Sequence, residues 1–209
     1  MLRTVRSVLL IPLTATGLLI GCVSMPDQSD EVAPPFVFRS LNLNQRRDDG
    51  SRDWDLSSPE ARYDLESRTV QAQRPSSVVY RDDKPYLRIS AQQATVVNDG
   101  DRIILEGSVQ LQQLKGQRLL IKGDRLVWTP EDSNLVIDQT PTAVYSRSKL
   151  SAERFVLLRD RDRLLLYGPT RLLHWSEERS DETDSDTEIL GGSGSWNLQS
   201  GRLKVSGPV

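Results

Sequence analysis

Catalysis needs side chains that titrate or attack, and this chain is poor in them. It has one histidine, His174, beside Trp175, and one cysteine, Cys22, near the N-terminus. A nucleophilic triad or a zinc site requires several such groups converging at fixed spacing. There is also no Gly-x-Ser-x-Gly elbow, phosphate loop or paired-cysteine motif. Two carboxylates held at the right separation can hydrolyse a glycoside, but the aspartates and glutamates here fall in turns or at outward positions of alternating stretches. The densest group, EERSDETDSDTE over residues 177–188, has seven acidic residues and nothing apolar. That is the composition of a solvated loop, and it lacks the glycine and ligand spacing of a calcium loop. The sequence predicts a protein that is not an enzyme, with no cofactor and no metal site.

Cys22 suggests a different chemistry. Arg3 and Arg6 precede an apolar run over residues 8–20. The run is shorter than the roughly 20 residues of a membrane-spanning helix and suits a secretory signal. It ends Leu19-Ile20-Gly21-Cys22, which looks like a bacterial lipobox, with Cys22 acylated as the first residue of the mature protein. The alternative is an uncleaved apolar anchor. The expected organisation is a signal peptide over residues 1–21, a lipidated Cys22 with a polar tether over 22–35, and a domain over 36–209 interrupted by an acidic loop at 176–188. Acyl chains hold such a domain to a membrane at about 0.8 kcal/mol per buried methylene.

The elements behind these residues follow from the apolar pattern. A chain of 209 residues, 37% of them hydrophobic, suffices for one domain with a core. A net charge of −2 and 6% aromatic residues supply neither the basic surface nor the stacking platforms that nucleic acid requires. The segment LRISAQQATVVNDGDRIILEGSVQL, residues 87–111, sets a frame. From an anchor at Ala91, apolar residues stand three and five positions on (Ala94, Val96), then twelve and fourteen on (Ile103, Leu105), around the turn Asn98-Asp99-Gly100-Asp101. The frame recurs from Ser58 (Ala61, Tyr63, Val70, Ala72), from Gly123 (Leu126, Trp128, Leu135, Ile137) and from Ala152 (Phe155, Leu157, Leu164, Leu166). A fifth copy from Ser193 has Trp196 and Leu198, then Leu203 and Val205 after a turn two residues shorter. Anchors 33, 32, 29 and 41 residues apart mark a stacked supersecondary unit, here two strands and a tight turn.

Within each unit the apolar parity flips after the anchor: Ile89 and Ala91 share one parity, Ala94 and Val96 the other. Strand side chains alternate faces, so the flip requires a bulge or a corner. Stacked corners predict an all-β, folded antiparallel sheet, open along one side, with the repeated apolar positions inside. Phe36, Phe38, Leu41 and Leu43 alternate as a first edge strand, and Leu203 and Val205 lie on a last one. The interior positions serve either as core or as an apolar groove for acyl chains. Arg88, Arg118, Arg125 and Arg154 stand where they would face anionic headgroups or simply solvent.

The frame and its copies resemble the OstA-like periplasmic lipopolysaccharide-transport proteins of the LptA/LptC group. The upstream segment FVFRSLNLNQRRDDGSRDWDLSSPEARYDLESRTVQAQRPSSVVY, in which Gly50 and Trp54 lead into Ala61 and Tyr63, resembles the start of LptC. The resemblance covers about residues 36–173, with a weaker copy beyond. It implies a twisted antiparallel β-jellyroll, like an opened taco shell. Such a protein accepts lipopolysaccharide from an inner-membrane ABC transporter, shelters the lipid A acyl chains and passes them towards the outer membrane through jellyrolls joined edge to edge. On this likeness Ala94, Val96, Ile103, Leu105, Leu126, Trp128, Leu135, Ile137, Phe155, Leu157, Leu164 and Leu166 line the lipid groove. The edge over residues 36–43 would meet the transporter side, and that over 202–209 an LptA-like jellyroll. The best-known LptC proteins keep a transmembrane helix where this chain has a lipobox-like segment; either anchor keeps the domain facing the periplasm, with the inner membrane the expected location. On the groove reading, Val96→Glu blocks lipid binding and spares the fold. The rival reading is a non-catalytic structural lipoprotein, a closed scaffold in outer-membrane assembly.

Overall fold

The computed structural model describes residues 36–116, 119–177 and 184–207. The alternating stretches form strands almost throughout. In chain order these are β1 (Phe36–Arg46), β2 (Arg52–Asp64), β3 (Thr69–Gln73), β4 (Ser76–Arg81), β5 (Lys84–Ser90), β6 (Gln93–Val97), β7 (Arg102–Gln113) and β8 (Leu119–Thr129). They continue as β9 (Asn134–Asp138), β10 (Thr142–Tyr145), β11 (Ser148–Ser151), β12 (Arg154–Leu158), β13 (Arg163–His174), β14 (Thr187–Asn197) and β15 (Leu203–Ser206). Short 3₁₀ turns at Asn98–Gly100 and Arg159–Arg161 are the only helical elements among the described residues. Every pairing is antiparallel, as expected of an all-β jellyroll.

The predicted frame is the hairpin register. Positions three and fourteen from an anchor face each other, as do five and twelve: Ala94 with Leu105 and Val96 with Ile103, Leu126 with Ile137 and Trp128 with Leu135, Phe155 with Leu166 and Leu157 with Leu164. Ala61 faces Ala72 and Tyr63 faces Val70 in the first copy. The fifth copy departs from the expectation. Trp196 faces Leu203, Gly194 faces Val205, and Leu198 lies in the turn. Its anchor is therefore Gly191, and its turn is not shortened. Glycine hides the pattern here because the packing leaves no room for more: a Cβ on Gly191 would stand 2.1 Å from Val205 Cγ1, and one on Gly194 3.1 Å from Leu166 Cδ1.

The anchors sit on a crease. β2, β7, β8 and β13 each change partner halfway: β2, for example, pairs β4 through residues 54–57 and β3 through 60–64. The halves beyond the anchors form one sheet, containing β3, β6, β9, β12 and β15. The halves before them form a second, containing β4, β5, β10 and β11. Along the crease, anchor corners alternate with residues in the left-handed region: Ser40 (φ 69°), Arg74 (47°), Gly107 (76°), Gln139 (59°), Gly168 (80°) and Gly207 (80°). A left-handed residue turns one strand outward, as in a bulge, while its neighbour passes the corner on a small residue. Backbone bonds carry the ladder across: Gln92 N–H donates to Gly107 O (2.9 Å), Arg74 N–H to Gln92 O (2.7 Å) and Glu153 N–H to Tyr167 O (3.1 Å). Such bonds satisfy backbone groups that the bends would otherwise strand.

Candidate functional site

The two sheets face each other across a continuous apolar interior. The first contributes the repeated pairs above. The second contributes residues two and four before each anchor, such as Leu56 and Trp54, Ile89 and Leu87, Ile121 and Leu119. All twelve groove candidates are buried, none more than 3% exposed. In this conformation they form a packed core with the opposite sheet. Val96, at 1% exposure, shows the consequence: a glutamate there would enter a dry interior, where an unpaired carboxylate is costly. Val96→Glu therefore threatens the fold itself, contrary to the expectation from sequence. Three donors inside this interior lack hydrogen-bond partners among the described residues: Trp54 Nε1, Trp128 Nε1 and Tyr145 Oη. Trp54 and Trp128, from opposite sheets, meet edge to face with centroids 5.6 Å apart.

Opposite the crease, where a folded sheet should gape, the turns of the two sheets meet. Their contacts are polar. Asp162, left-handed at φ 45° in the turn before β13, accepts from Arg81 Nη1 at both carboxylate oxygens (2.8 and 3.0 Å) and from Tyr86 Oη at 2.7 Å. Gln199 Nε2 adds a bond of 2.7 Å, and the Arg81 guanidinium lies 3.7 Å over the Tyr86 ring while donating to Arg159 O. Arg159, only 5% exposed, reaches Asp53 Oδ1 at 3.2 Å, which Arg47 approaches at 2.9 Å. Burial alone would raise the Asp162 carboxyl, but the bonds from Tyr86 and Arg81 outweigh it and hold the group below the usual carboxylate range. Burial, then the bond to Asp162, pushes the Tyr86 hydroxyl well above its ordinary value. Clefts of about 660 Å³ and 470 Å³ flank this seam, the first lined by Arg47, Asp53 and Arg159, the second by Arg81, Tyr86 and Asp162.

The structure disperses the other candidates. Arg88 and Arg154 are exposed strand residues, and Arg125 pairs with Asp138 at 3.1 Å and with Glu106 at 3.8 Å away from the seam; Arg118 lies outside the described residues. The arginines at the seam are instead Arg47, Arg81 and Arg159, at strand ends and in turns that the apolar frame does not score. His174 Nδ1 stands 3.0 Å from Ser148 Oγ as a cross-strand pair. Cys22 and the expected signal segment and tether lie outside the described residues, as do residues 178–183 of the acidic stretch, whose last two residues, Thr187 and Glu188, belong to β14. Among the described residues, β1 pairs only with β2, and β15 only with β14. Phe36 and Phe38 on β1 are exposed, while Leu41, Leu43 and Leu203 pack against the core and Val205 is half-buried. The N-terminal half of β14 is covered on one side by β13 alone and exposes Ile189 and Leu190.

Residues 18–174 match the family model described as lipopolysaccharide-assembly, LptC-related. Among solved structures, the chain is similar to LptH, the LptA-homologous periplasmic component of the lipopolysaccharide transport device from Pseudomonas aeruginosa. That similarity has 8% identity and a TM-score of 0.47, covering 66% of this chain and 92% of that one. No curated protein matches the chain.

Proposed function

The chain belongs to the LptC-related family of lipopolysaccharide-assembly proteins, non-catalytic components of the periplasmic lipopolysaccharide transport bridge, and we propose that its apolar interior is the lipid conduit. The observation that carries this reading is the continuous apolar interior between two creased sheets whose edge strands are paired on one side only. Acyl chains load by parting the sheets at the polar seam and replacing sheet-to-sheet contacts at Ala94, Val96, Ile103, Leu105, Leu126, Trp128 and the pairs around Phe155. Apolar area leaving one apolar partner for another gains little, whereas area left in water costs about 25 cal/mol per Å². Loading and unloading are then nearly balanced, as handover requires, and the ATPase of the transporter supplies direction.

The edges serve assembly. An unpaired edge strand accepts another by main-chain hydrogen bonding. β1, with Phe36, Phe38, Leu41 and Leu43, is assigned to the inner-membrane transporter complex. The C-terminal edge, with Leu203 and Val205, is assigned to an LptA-like jellyroll. Acylated Cys22 is assigned as the anchor, on the inner membrane. One observation favours the scaffold alternative: the interior is closed.

The two readings separate by photo-crosslinking in cells. A photoreactive phenylalanine at Trp128, with a control at Arg125, is probed for lipopolysaccharide adducts. The conduit reading expects an ATP-dependent lipid adduct at Trp128 and none at Arg125. Protein adducts alone at both positions would establish the scaffold instead.

A further inference from the structure

We propose that the seam opposite the crease is a latch: the Arg81–Asp162 and Arg159–Asp53 pairs hold the mouth shut, and their release exposes Trp54 and Trp128 as the first donors an acyl amphiphile meets. The proposal rests on the conduit reading and adds how access is controlled.

Three observations support it. First, the two pairs cross between sheets. Arg81 and Asp53 belong to the sheet containing β4, whereas Asp162 and Arg159 belong to the turn between β12 and β13. The partners lie 81 and 106 residues apart in sequence, so these bonds close the mouth and contribute nothing to any hairpin. Second, the crease is bridged by backbone-to-backbone hydrogen bonds, whereas among the described residues each bond across the mouth is made by a side chain, including that from Arg81 to Arg159 O. An opening motion breaks the weaker side and pivots on the stronger. Third, the interior under the latch is incompletely satisfied. Trp54 is the neighbour of Asp53, and its ring fills the space beside Gly100, where a Cβ would approach to 2.9 Å. Its indole N–H and that of Trp128 have no acceptor among the described residues. A buried unpaired donor costs free energy that an acceptor would recover. The ester and amide carbonyls at the head end of an acyl amphiphile supply acceptors at the right depth, just inside the polar rim.

The test uses the full chain in mild detergent, with lipid A presented in micelles and uptake followed by stopped-flow tryptophan fluorescence. The pair of substitutions Arg81→Gln and Asp162→Asn removes one charged pair, one partner from each side of the mouth. Charge-assisted hydrogen bonds of this kind set the expectation that uptake accelerates about tenfold or more. Tyr86→Phe, which removes one bond and no charge, accelerates it less. Wild-type uptake also quickens with added salt, which screens the partly exposed pair, and this reading stands even where a variant folds poorly. The outer-face control Arg125→Gln leaves the rate unchanged. If wild-type protein takes up lipid A at the rate of the latch variants, with no dependence on salt, the latch is refuted and the conduit stands. If no form takes up lipid A, both readings fall together.

Discussion

Phe155→Ala tests whether the interior is closed when no lipid is present. Phe155 is fully buried, and its strand neighbours in the ladder are Leu166 on one side and Ile137 on the other. Both neighbours are themselves buried and belong to rigid strands, so the space left by the ring cannot collapse freely. Truncating a phenylalanine in such a site costs about 3–5 kcal/mol, a transfer part plus a cavity part. For a domain of this size each kcal/mol lowers Tm by about 2–4 °C, so the expected loss is roughly 6–20 °C. Urea unfolding of the full chain, followed by tryptophan fluorescence, should show a lower midpoint with an unchanged slope. A residue lining an already wet groove behaves otherwise, since truncation there removes little burial. A loss below about 1 kcal/mol, in the range of ordinary surface substitutions, would refute the closed interior and with it the need for a latch.

Two further outcomes follow from the crease and the seam. Gly123→Ala would place a Cβ 2.6 Å from Ile137 Cγ2, so the expected effect is a destabilisation of about 1–3 kcal/mol, partly cancelled when Ile137→Ala is added; strict additivity in a double-mutant cycle would contradict the contact. The Asp162 carboxyl is held below its ordinary range, so the unfolded chain binds its proton more readily. The stability it contributes is therefore complete above the unfolded value of about 3.9 and is lost as pH falls below that towards the lower folded value. The gap in urea midpoint between wild type and Asp162→Asn should be wide at pH 6 and shrink towards pH 3; a gap constant with pH would refute this.

Much of the fold was legible because hairpins are local. The twelve- and fourteen-residue spacing encodes both strand length and turn length, and it names facing pairs such as Val96 and Ile103 directly. The parity flip at Ala91 marks the corner for the same reason. The fifth copy slipped because Gly194 carries no apolar side chain to register, although tight packing is what demands the glycine. The second sheet's inner face was also within reach: Ile89 and Leu87 stand two and four before their anchor, and that offset recurs at Leu56 with Trp54 and at Ile121 with Leu119. The seam was not legible. Arg81, at the end of β4, and Asp162, in a turn, fall outside the apolar periodicity, and nothing local says which tip of one sheet stands over which tip of the other. Their meeting depends on how the whole sheet folds about its crease.

The crease has a consequence for distance. One sheet runs, without a break in pairing, from the first half of β1 through the second half of β2, then β3, β6, β7, β8, β9, β12, β13 and β14 to β15. Ten strand-to-strand steps of roughly 4.8 Å carry the interior over about 48 Å, longer than the roughly 30 Å hydrocarbon thickness of a bilayer. On the proposed conduit, the interior is thus a track and not a pocket. Each repeat presents apolar side chains of differing size at the same depth, Ala94 and Val96 in one, Leu126 and Trp128 in the next, Phe155 and Leu157 in a third, so on the proposed conduit an acyl chain moved along by one unit stays in apolar surroundings. The length of that apolar interior is set simply by how many units are stacked, which on the proposed conduit also fixes how far cargo travels within one domain.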